Sequence, residues 1–222
     1  MMNHAARHLV ESLEERGIKD RRVLEAIANV DRAQFLEEDW VAHAWEDRAL
    51  PIASGQTISQ PYIVALMTEA LELTGDATVL EIGTGSGYQA AILARLCRHV
   101  LTIERHEGLS EQAGKIFERL GLSNITRRVA DGTRGAPDAA PFDGIVVTAG
   151  APDVPTALLE QLSPRGRLVI PVGDEAEQEL IVLWRDGERF RRKHLCDCRF
   201  VPLIGQAGWP TGEAKESGVE SD

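Results

Sequence analysis

The sequence predicts an α/β fold in which a mostly parallel sheet carries helices on both faces. Three observations support it. After Gly75, short apolar runs rich in β-branched residues recur: Thr78-Val79-Leu80, Val100-Leu101-Thr102-Ile103, Ile145-Val146-Val147, Leu168-Val169-Ile170 and Leu180-Ile181-Val182-Leu183. Each is too short for a buried helix and reads as a strand covered on both sides. Helical windows separate several of them, which is the alternation expected of a parallel sheet. The last stretch, residues 179–202, holds two strand-like segments with Gly187 between them and no helical window, so a β-hairpin ends the sheet.

The elements follow in order. The first fifty residues read as helical: Val23, Leu24, Ile27 and Val30 share one face, and Asp20 is placed to cap it. The turn GQTISQPY at 55–62 precedes a helix whose expected buried stripe is Ile63, Leu66, Met67, Ala70 and Leu71. Gln60-Pro61 suits a first helical turn, and Ser59 reads as a cap contributing about 1 kcal/mol. Tyr88, Ala91, Ile92 and Leu96 form a second stripe. A third helix runs from Glu107 to a stop at Gly121, and Val154, Leu158 and Leu162 form a further stripe. A third strand ends in VADG at 129–132.

Bulk properties narrow the function. The chain has 222 residues and a formal net charge of -11, from 24 basic and 35 acidic side chains. Such a field repels phosphate backbones and anionic lipid heads, which argues against nucleic acid or membrane as partner. The densest basic run, Arg189 to His194, is broken by Phe190 and reads as a solvated strand edge. Cys97, Cys196 and Cys198 form no disulfide framework, and C-x-C lacks redox or zinc spacing. Sparse thiols and a first segment without an apolar core point to the cytoplasm. No His, Cys, Asp or Glu set has metal spacing, no histidine sits in a triad-like context, and G-x-S-x-G is absent.

The chemistry concentrates in TVLEIGTGSGYQAAILARL at 78–96. An apolar strand runs into Gly83-x-Gly85-x-Gly87, and a helix follows. Glycines let the backbone turn sharply and approach a ligand, while the helix start offers unpaired N–H groups. The spacing differs from the dinucleotide G-x-G-x-x-G. Glu104 ends the next strand, 21 residues beyond Gly83, where an acid can accept hydrogen bonds from ribose hydroxyls. Asp131 ends the third strand at the same rim, where it can face an adenine amino group. The alternatives are a tight βα turn, a solvated glutamate and a plain Asp-Gly turn.

These rim features resemble the S-adenosylmethionine-dependent methyltransferases. DRALPIASGQTISQPYIVALMTEALEL, VLEIGTGSGYQAAILA, APFDGIVVTAGAP, QLSPRGRLVIPVG and RFVPLIG narrow the resemblance to the protein-L-isoaspartate (D-aspartate) O-methyltransferase family, over roughly residues 7 to 205 and in the family's order. GQTISQP and FVPL are the most specific of these segments.

The resemblance implies a doubly wound, Rossmann-like, mostly parallel seven-stranded sheet with extra N-terminal helices. It implies one methyltransferase domain over 1–205: helices and a substrate-side turn over 1–75, the cofactor-binding sheet over 76–205, and a disordered acidic tail over 206–222. The implied cofactor is S-adenosyl-L-methionine, bound by Gly83, Thr84, Gly85, Gly87, Glu104, Asp131 and Gly132. The family's active-site serine falls on Ser59, and Thr57, Ile58, Val201, Pro202 and Leu203 would line the substrate cleft. The implied partners are damaged proteins bearing isoaspartyl or D-aspartyl residues, methylated on a carboxylate by a monomeric enzyme. The resulting ester collapses to a succinimide that reopens partly to normal aspartate. Ala130, Gly150 and Arg165 depart from the family's usual residues without removing a proposed ligand side chain, and residues 191–198 depart most. Two other readings stand beside this one: a same-fold methyltransferase acting on another acceptor, and a non-catalytic S-adenosylmethionine-binding protein.

Overall fold

A computed structural model describes residues 4–187 and 189–210. Two helices, α1 (His4–Glu15) and α2 (Arg21–Asn29), lead the chain. Ala6, Leu9 and Leu13 form the buried stripe of α1, and Val23, Leu24, Ala26 and Ile27 that of α2. Asp20 caps α2 by accepting the Arg22 N–H, as its position predicts. Two short 3-10 turns, Arg32–Phe35 and Glu38–His43, lead to a small antiparallel ribbon of β1 (Leu50–Pro51) and β2 (Thr57–Ile58).

Helix α3 (Pro61–Ala70) follows and departs from the expected stripe. Its buried residues are Pro61, Val64, Ala65, Met67 and Thr68, while Ile63, Leu66 and Ala70 are half-buried against the same core. The helix is packed on several sides, so no single stripe describes it. The cap also differs from expectation. Gln60 is the N-cap residue and uses no side-chain bond, and Ser59 Oγ caps nothing. Asp47 does this work from a distance: its Oδ1 accepts the Tyr62 N–H at 2.8 Å, and its Oδ2 accepts Gln60 Nε2 at 3.1 Å.

The sheet contains β3 (Thr78–Ile82), β4 (His99–Glu104), β5 (Ile125–Val129), β6 (Phe142–Val147), β7 (Leu162–Gly173), β8 (Gln178–Asp186) and β9 (Arg189–Cys198). Its order is β5-β4-β3-β6-β7-β8-β9. The first five are parallel, and β8 and β9 form the antiparallel end, with Gly187 (φ +65°) at their turn. Helices α4 (Tyr88–Leu93), α5 (Glu107–Arg119) and α6 (Thr156–Glu160) connect the strands. Leu162, expected on the last helix, starts β7 instead and pairs with Phe142.

Strand alternation divides the core in two. Val79, Val100, Val146, Val169, Leu180 and Val182 face a large layer shared with α1 to α5. Leu80, Ile82, Leu101, Ile103, Ile145, Val147, Leu168, Ile170, Ile181 and Leu183 face a thinner layer with Leu158 and Leu203. The basic run of β9 lies on the exposed sheet edge, as its charge predicts. Of the expected disordered tail, residues 211–222 lie outside the described residues. Residues 206–210 contradict it: the Gln206 N–H donates to Asp131 Oδ2 at 2.9 Å, and Trp209 Nε1 donates to Gly150 O at 3.1 Å.

Among the described residues, Arg32 is the largest fully buried side chain, and its hydrogen bonds go to carbonyls rather than to a carboxylate. Its Nη1 donates to the carbonyls of Ala44 (2.9 Å) and Glu46 (3.2 Å), and its Nη2 to those of Arg48 (2.9 Å) and Ser59 (3.1 Å). One guanidinium fork therefore gathers the segment that carries Asp47, β1 and the T-I-S turn. Arg32→Met is expected to cost roughly 3 kcal/mol or more in urea unfolding, because four inward carbonyls lose their donor, and Arg32→Lys is expected to cost less.

Candidate active site

In the sheet order, β3 stands between β4 and β6, so the connections leaving these strands run in opposite directions. A crevice opens at such a reversal, beyond the C-terminal ends of the strands. A cleft of about 300 Å³ occupies it here.

The glycine loop forms its floor. Gly83, Gly85 and Gly87 all have positive φ, at +97°, +50° and +88°. A side chain at Gly87 would strike the Phe117 ring at 2.7 Å, so this glycine allows α4 to close on α5. Gly85 differs: a Cβ there would meet only Ile52 Cδ1, at 3.8 Å, and its open face borders the cleft. Gly83, Thr84, Gly85 and Gly132 line the cleft, whereas Gly87 lies behind it.

Glu104 is buried at the end of β4 and borders the cleft. Its Oε2 accepts the Gly85 N–H at 2.9 Å, and its Oε1 accepts the N–H groups of Arg105 and His106 at 2.8 and 3.0 Å. Three donors hold the carboxylate, and acceptor capacity remains on Oε2. Asp131 is placed differently and does not line the cleft. Its Oδ1 accepts the N–H and hydroxyl of Thr133 at 2.9 and 2.7 Å, and its Oδ2 the Gln206 N–H. Burial pushes the Asp131 carboxyl upward, but these donors outweigh it and hold the pKa below the ordinary value.

The opposite wall is the T-I-S turn. Thr57, Ile58 and Ser59 border the cleft, with the Ile58 side chain anchored in the core. Among the described residues, neither the Thr57 nor the Ser59 hydroxyl has a hydrogen-bond partner within the chain. Val201, Pro202 and Leu203 complete this side. Their segment is held to the end of β6 by Gly150 N–H to Val201 O and Leu203 N–H to Gly150 O, both at 2.8 Å.

Several cleft residues escape sequence reasoning. Tyr88 reads as part of a buried helical stripe and Gln89 carries no reading of its own, yet both line the cleft. Tyr88 Oη and Gln89 Oε1 are buried without partners, and burial keeps the Tyr88 hydroxyl protonated far above its ordinary range. Ser54, Gln56 and Thr148, which lie in the quoted segments but carry no assigned role, and Arg105 and His106, which lie outside them, also border the space. Among the described residues, no group of three His, Cys, Asp or Glu side chains is placed to hold a metal.

Glu81 was likewise not singled out. It is fully buried in β3 and shares a hydrogen bond with Thr102, whose hydroxyl meets Thr84 Oγ1 at 2.6 Å. Burial, opposed by the Thr102 bond and aided by the charge of Glu104, pushes its pKa up to about 8. The side chain is therefore mostly protonated at neutral pH.

Fold and cleft together define a Rossmann-like, S-adenosylmethionine-dependent methyltransferase. The comparisons narrow the class. The family model described as Protein-L-isoaspartate(D-aspartate) O-methyltransferase (PCMT) matches residues 4–208. A protein of Roseiflexus sp. (strain RS-1), named protein-L-isoaspartate O-methyltransferase, is 53% identical over 203 residues, which are 91% of this chain and 93% of the relative. A protein of the same name from Geobacter metallireducens is 53% identical over 212 residues, 94% of this chain and 98% of its own. A solved protein-L-isoaspartate O-methyltransferase superposes with a TM-score of 0.83 at 28% identity, covering 91% of this chain and 67% of the other. A Plasmodium falciparum structure assigned to the same activity, in complex with S-adenosyl-L-homocysteine, gives 0.78 at 25% identity, covering 92% and 99%. The chain belongs to the protein-L-isoaspartate (D-aspartate) O-methyltransferase family. Its methyl donor is S-adenosyl-L-methionine.

Glu81 generates a pH prediction. Between its ordinary value of 4.5 and about 8, the unfolded chain ionises this group while the folded chain keeps it protonated. Raising pH across that window therefore favours unfolding, and above it the effect is constant. The melting temperature of wild type relative to Glu81→Gln is expected to fall from pH 4.5 to 8 and then level off, as read by calorimetry.

Proposed function

We propose that Ser59, with Thr57 beside it, orients the side carboxylate of an isoaspartyl residue across the cleft from a cofactor bound on the glycine loop. The reaction moves a methyl group from S-adenosyl-L-methionine to the carboxylate of L-isoaspartyl, and D-aspartyl, residues in damaged proteins. The observation that carries the residue roles is that Thr57 and Ser59, whose hydroxyls have no partner among the described residues, border the same cleft as the open face of Gly85.

The residues suit the donor. Glu104 has spare acceptor capacity for ribose hydroxyls, Gly85 permits close approach of the backbone, and Gly83, Thr84 and Gly132 complete that surface. Gly87 acts by allowing the loop to close. Asp131 acts at the adenine end, next to the C-terminal segment it ties down. Tyr88 Oη and Gln89 Oε1 bring two unsatisfied polar atoms to the wall. Bound there, S-adenosyl-L-methionine supplies an electrophilic methyl group on a sulfonium.

The chain's own task is positioning. An aspartyl-type carboxylate, with an ordinary pKa of about 3.9, is already ionised at neutral pH and needs no general base. Holding two reactants in line with water excluded lowers a barrier by up to ~7–11 kcal/mol. Neutral hydroxyls orient the anion without a tight ion pair, whose strength would be lost as methylation removes the charge. Ile58, Val201, Pro202 and Leu203 supply the apolar walls of the substrate side. The net charge of -11 supports a protein partner rather than nucleic acid or membrane, and a monomeric state, and the three sparse cysteines support a cytoplasmic setting. No helix among the described residues is long and apolar enough to cross a membrane.

Methylation of an isoaspartyl peptide but not its aspartyl counterpart is the expected result of a labelled-methyl assay. Methylation of small carboxylates alone would favour another acceptor, and binding without turnover a non-catalytic role. Ser59→Ala is expected to lower kcat roughly a hundredfold. Its affinity for S-adenosyl-L-homocysteine and its melting temperature should stay unchanged, because Ser59 caps no helix. Glu104→Ala is expected to weaken that affinity about tenfold or more, measured by calorimetry, since it removes a charged acceptor and orphans the Gly85 N–H.

A further inference from the structure

A second recess, of about 250 Å³, opens on the other side of the T-I-S turn. Thr57 and Ser59 border both spaces, so the turn is a partition between them. Half-buried Ile63 and Phe200 give the recess an apolar wall. Four charged residues line it: Asp47, Arg48, Asp197 and Arg199.

The acids are already engaged. Asp47 accepts from Tyr62 N–H, Gln60 Nε2 and the Arg16 guanidinium. Asp197 Oδ1 pairs with His194 Nε2 at 2.9 Å. The arginine side chains keep open donors. Arg199 is exposed and, among the described residues, makes no hydrogen bond or ion pair. The Arg48 guanidinium pairs with Glu46 through Nε and lies over the Trp40 ring, 5.8 Å from its centroid, and among the described residues its Nη groups make no further hydrogen bond. A molecule with a net charge of -11 thus presents unsatisfied guanidinium groups beside its reactive turn.

We propose that this recess is the subsite for the residue flanking the isoaspartyl residue in the substrate chain, and that Arg48 and Arg199 select an acidic side chain there. The inference rests on the reading of Ser59 given above. With the isoaspartyl carboxylate at Ser59, the substrate backbone continues at about 3.3–3.6 Å per residue, and the recess begins at Ser59 itself. A guanidinium fork matches a carboxylate in geometry as well as charge. The long-range field of the molecule repels acidic peptides, so the selection is local and sensitive to salt. Asp197 and Cys198, at the end of β9, form the rim of this recess next to Arg199.

The test compares isoaspartyl peptides carrying Glu, Gln or Lys at either neighbouring position, at low and high ionic strength. Wild type is expected to prefer Glu over Lys by about fivefold in kcat/KM, with the ratio shrinking in high salt. Arg199→Glu is expected to reverse the preference while affinity for S-adenosyl-L-homocysteine is kept. The wild-type comparison stands without any variant. Equal kcat/KM for all three peptides would overturn the subsite, and so would a wild-type preference for Lys, which would assign the recess to Asp47 and Asp197. Failure to methylate any isoaspartyl peptide is a different result, and it would overturn the underlying reading of Ser59.

Discussion

A single buried cation organises the substrate side of this molecule. Arg32 bonds to carbonyls rather than to a carboxylate, and its charge is balanced by carbonyl dipoles drawn from four points spread over residues 44–59. A segment with little regular structure, one 3-10 turn and two strands of two residues, would otherwise have few internal bonds with which to keep its shape. The fork supplies them. It also lets Asp47 reach the start of α3, so the helix is capped from outside and the Ser59 hydroxyl is left unbonded. Structural stability and chemical availability are thereby separated: one residue caps, and another faces the cleft.

The cleft is built from parts with different kinds of rigidity. Its glycine-loop side rests on the sheet, where Glu104 is locked by three N–H groups and the loop is pinned by packing of Gly87 against Phe117. Its opposite side rests on chain segments brought together from residues 57–59 and 201–203. The second of these is clamped to Gly150 by backbone bonds and held further along by Asp131 and Trp209. Asp131 therefore ties the turn after β5 to the C-terminal segment. Behind the loop, Glu81 stays protonated within a hydroxyl chain through Thr102 to Thr84, a polar strut in an otherwise apolar sheet.

Much of this was legible in the linear chain, for identifiable reasons. Short β-branched runs such as Val100 to Ile103 mark strands buried on both faces, because alternation disappears when both sides are apolar. Gly121 and Gly187 mark stops and turns by their positive φ. Asp20 announces its helix through local geometry alone. Reading failed where several surfaces compete for one segment. Helix α3 is covered on several sides, so Ile63 and Leu66 are no more buried than their neighbours demand. Leu162 fits a helical stripe but pairs with Phe142, because pairing between two interior strands outweighed extension of a five-residue helix. Residues 206–210 look like a polar tail and are ordered by contacts with residues 131, 133 and 150, more than fifty positions away.

Local order along the chain specifies the α/β alternation, the glycine loop with its acid one strand later, and the hydroxyl-bearing turn before α3, since each depends on residues within a few positions of one another. Proximity across the fold settles the rest. That Ser59 is free to face a substrate depends on Asp47 and Arg32, and that Tyr88 and Gln89 face the cleft depends on where α4 lands on the sheet. The engagement of Asp47 beside the second recess depends on Arg16 and Tyr62 arriving from separate elements. Hydrogen bonds and burial are satisfied by neighbours in space, and neighbours in space at sequence separations of fifteen to seventy-five residues leave no periodicity to read.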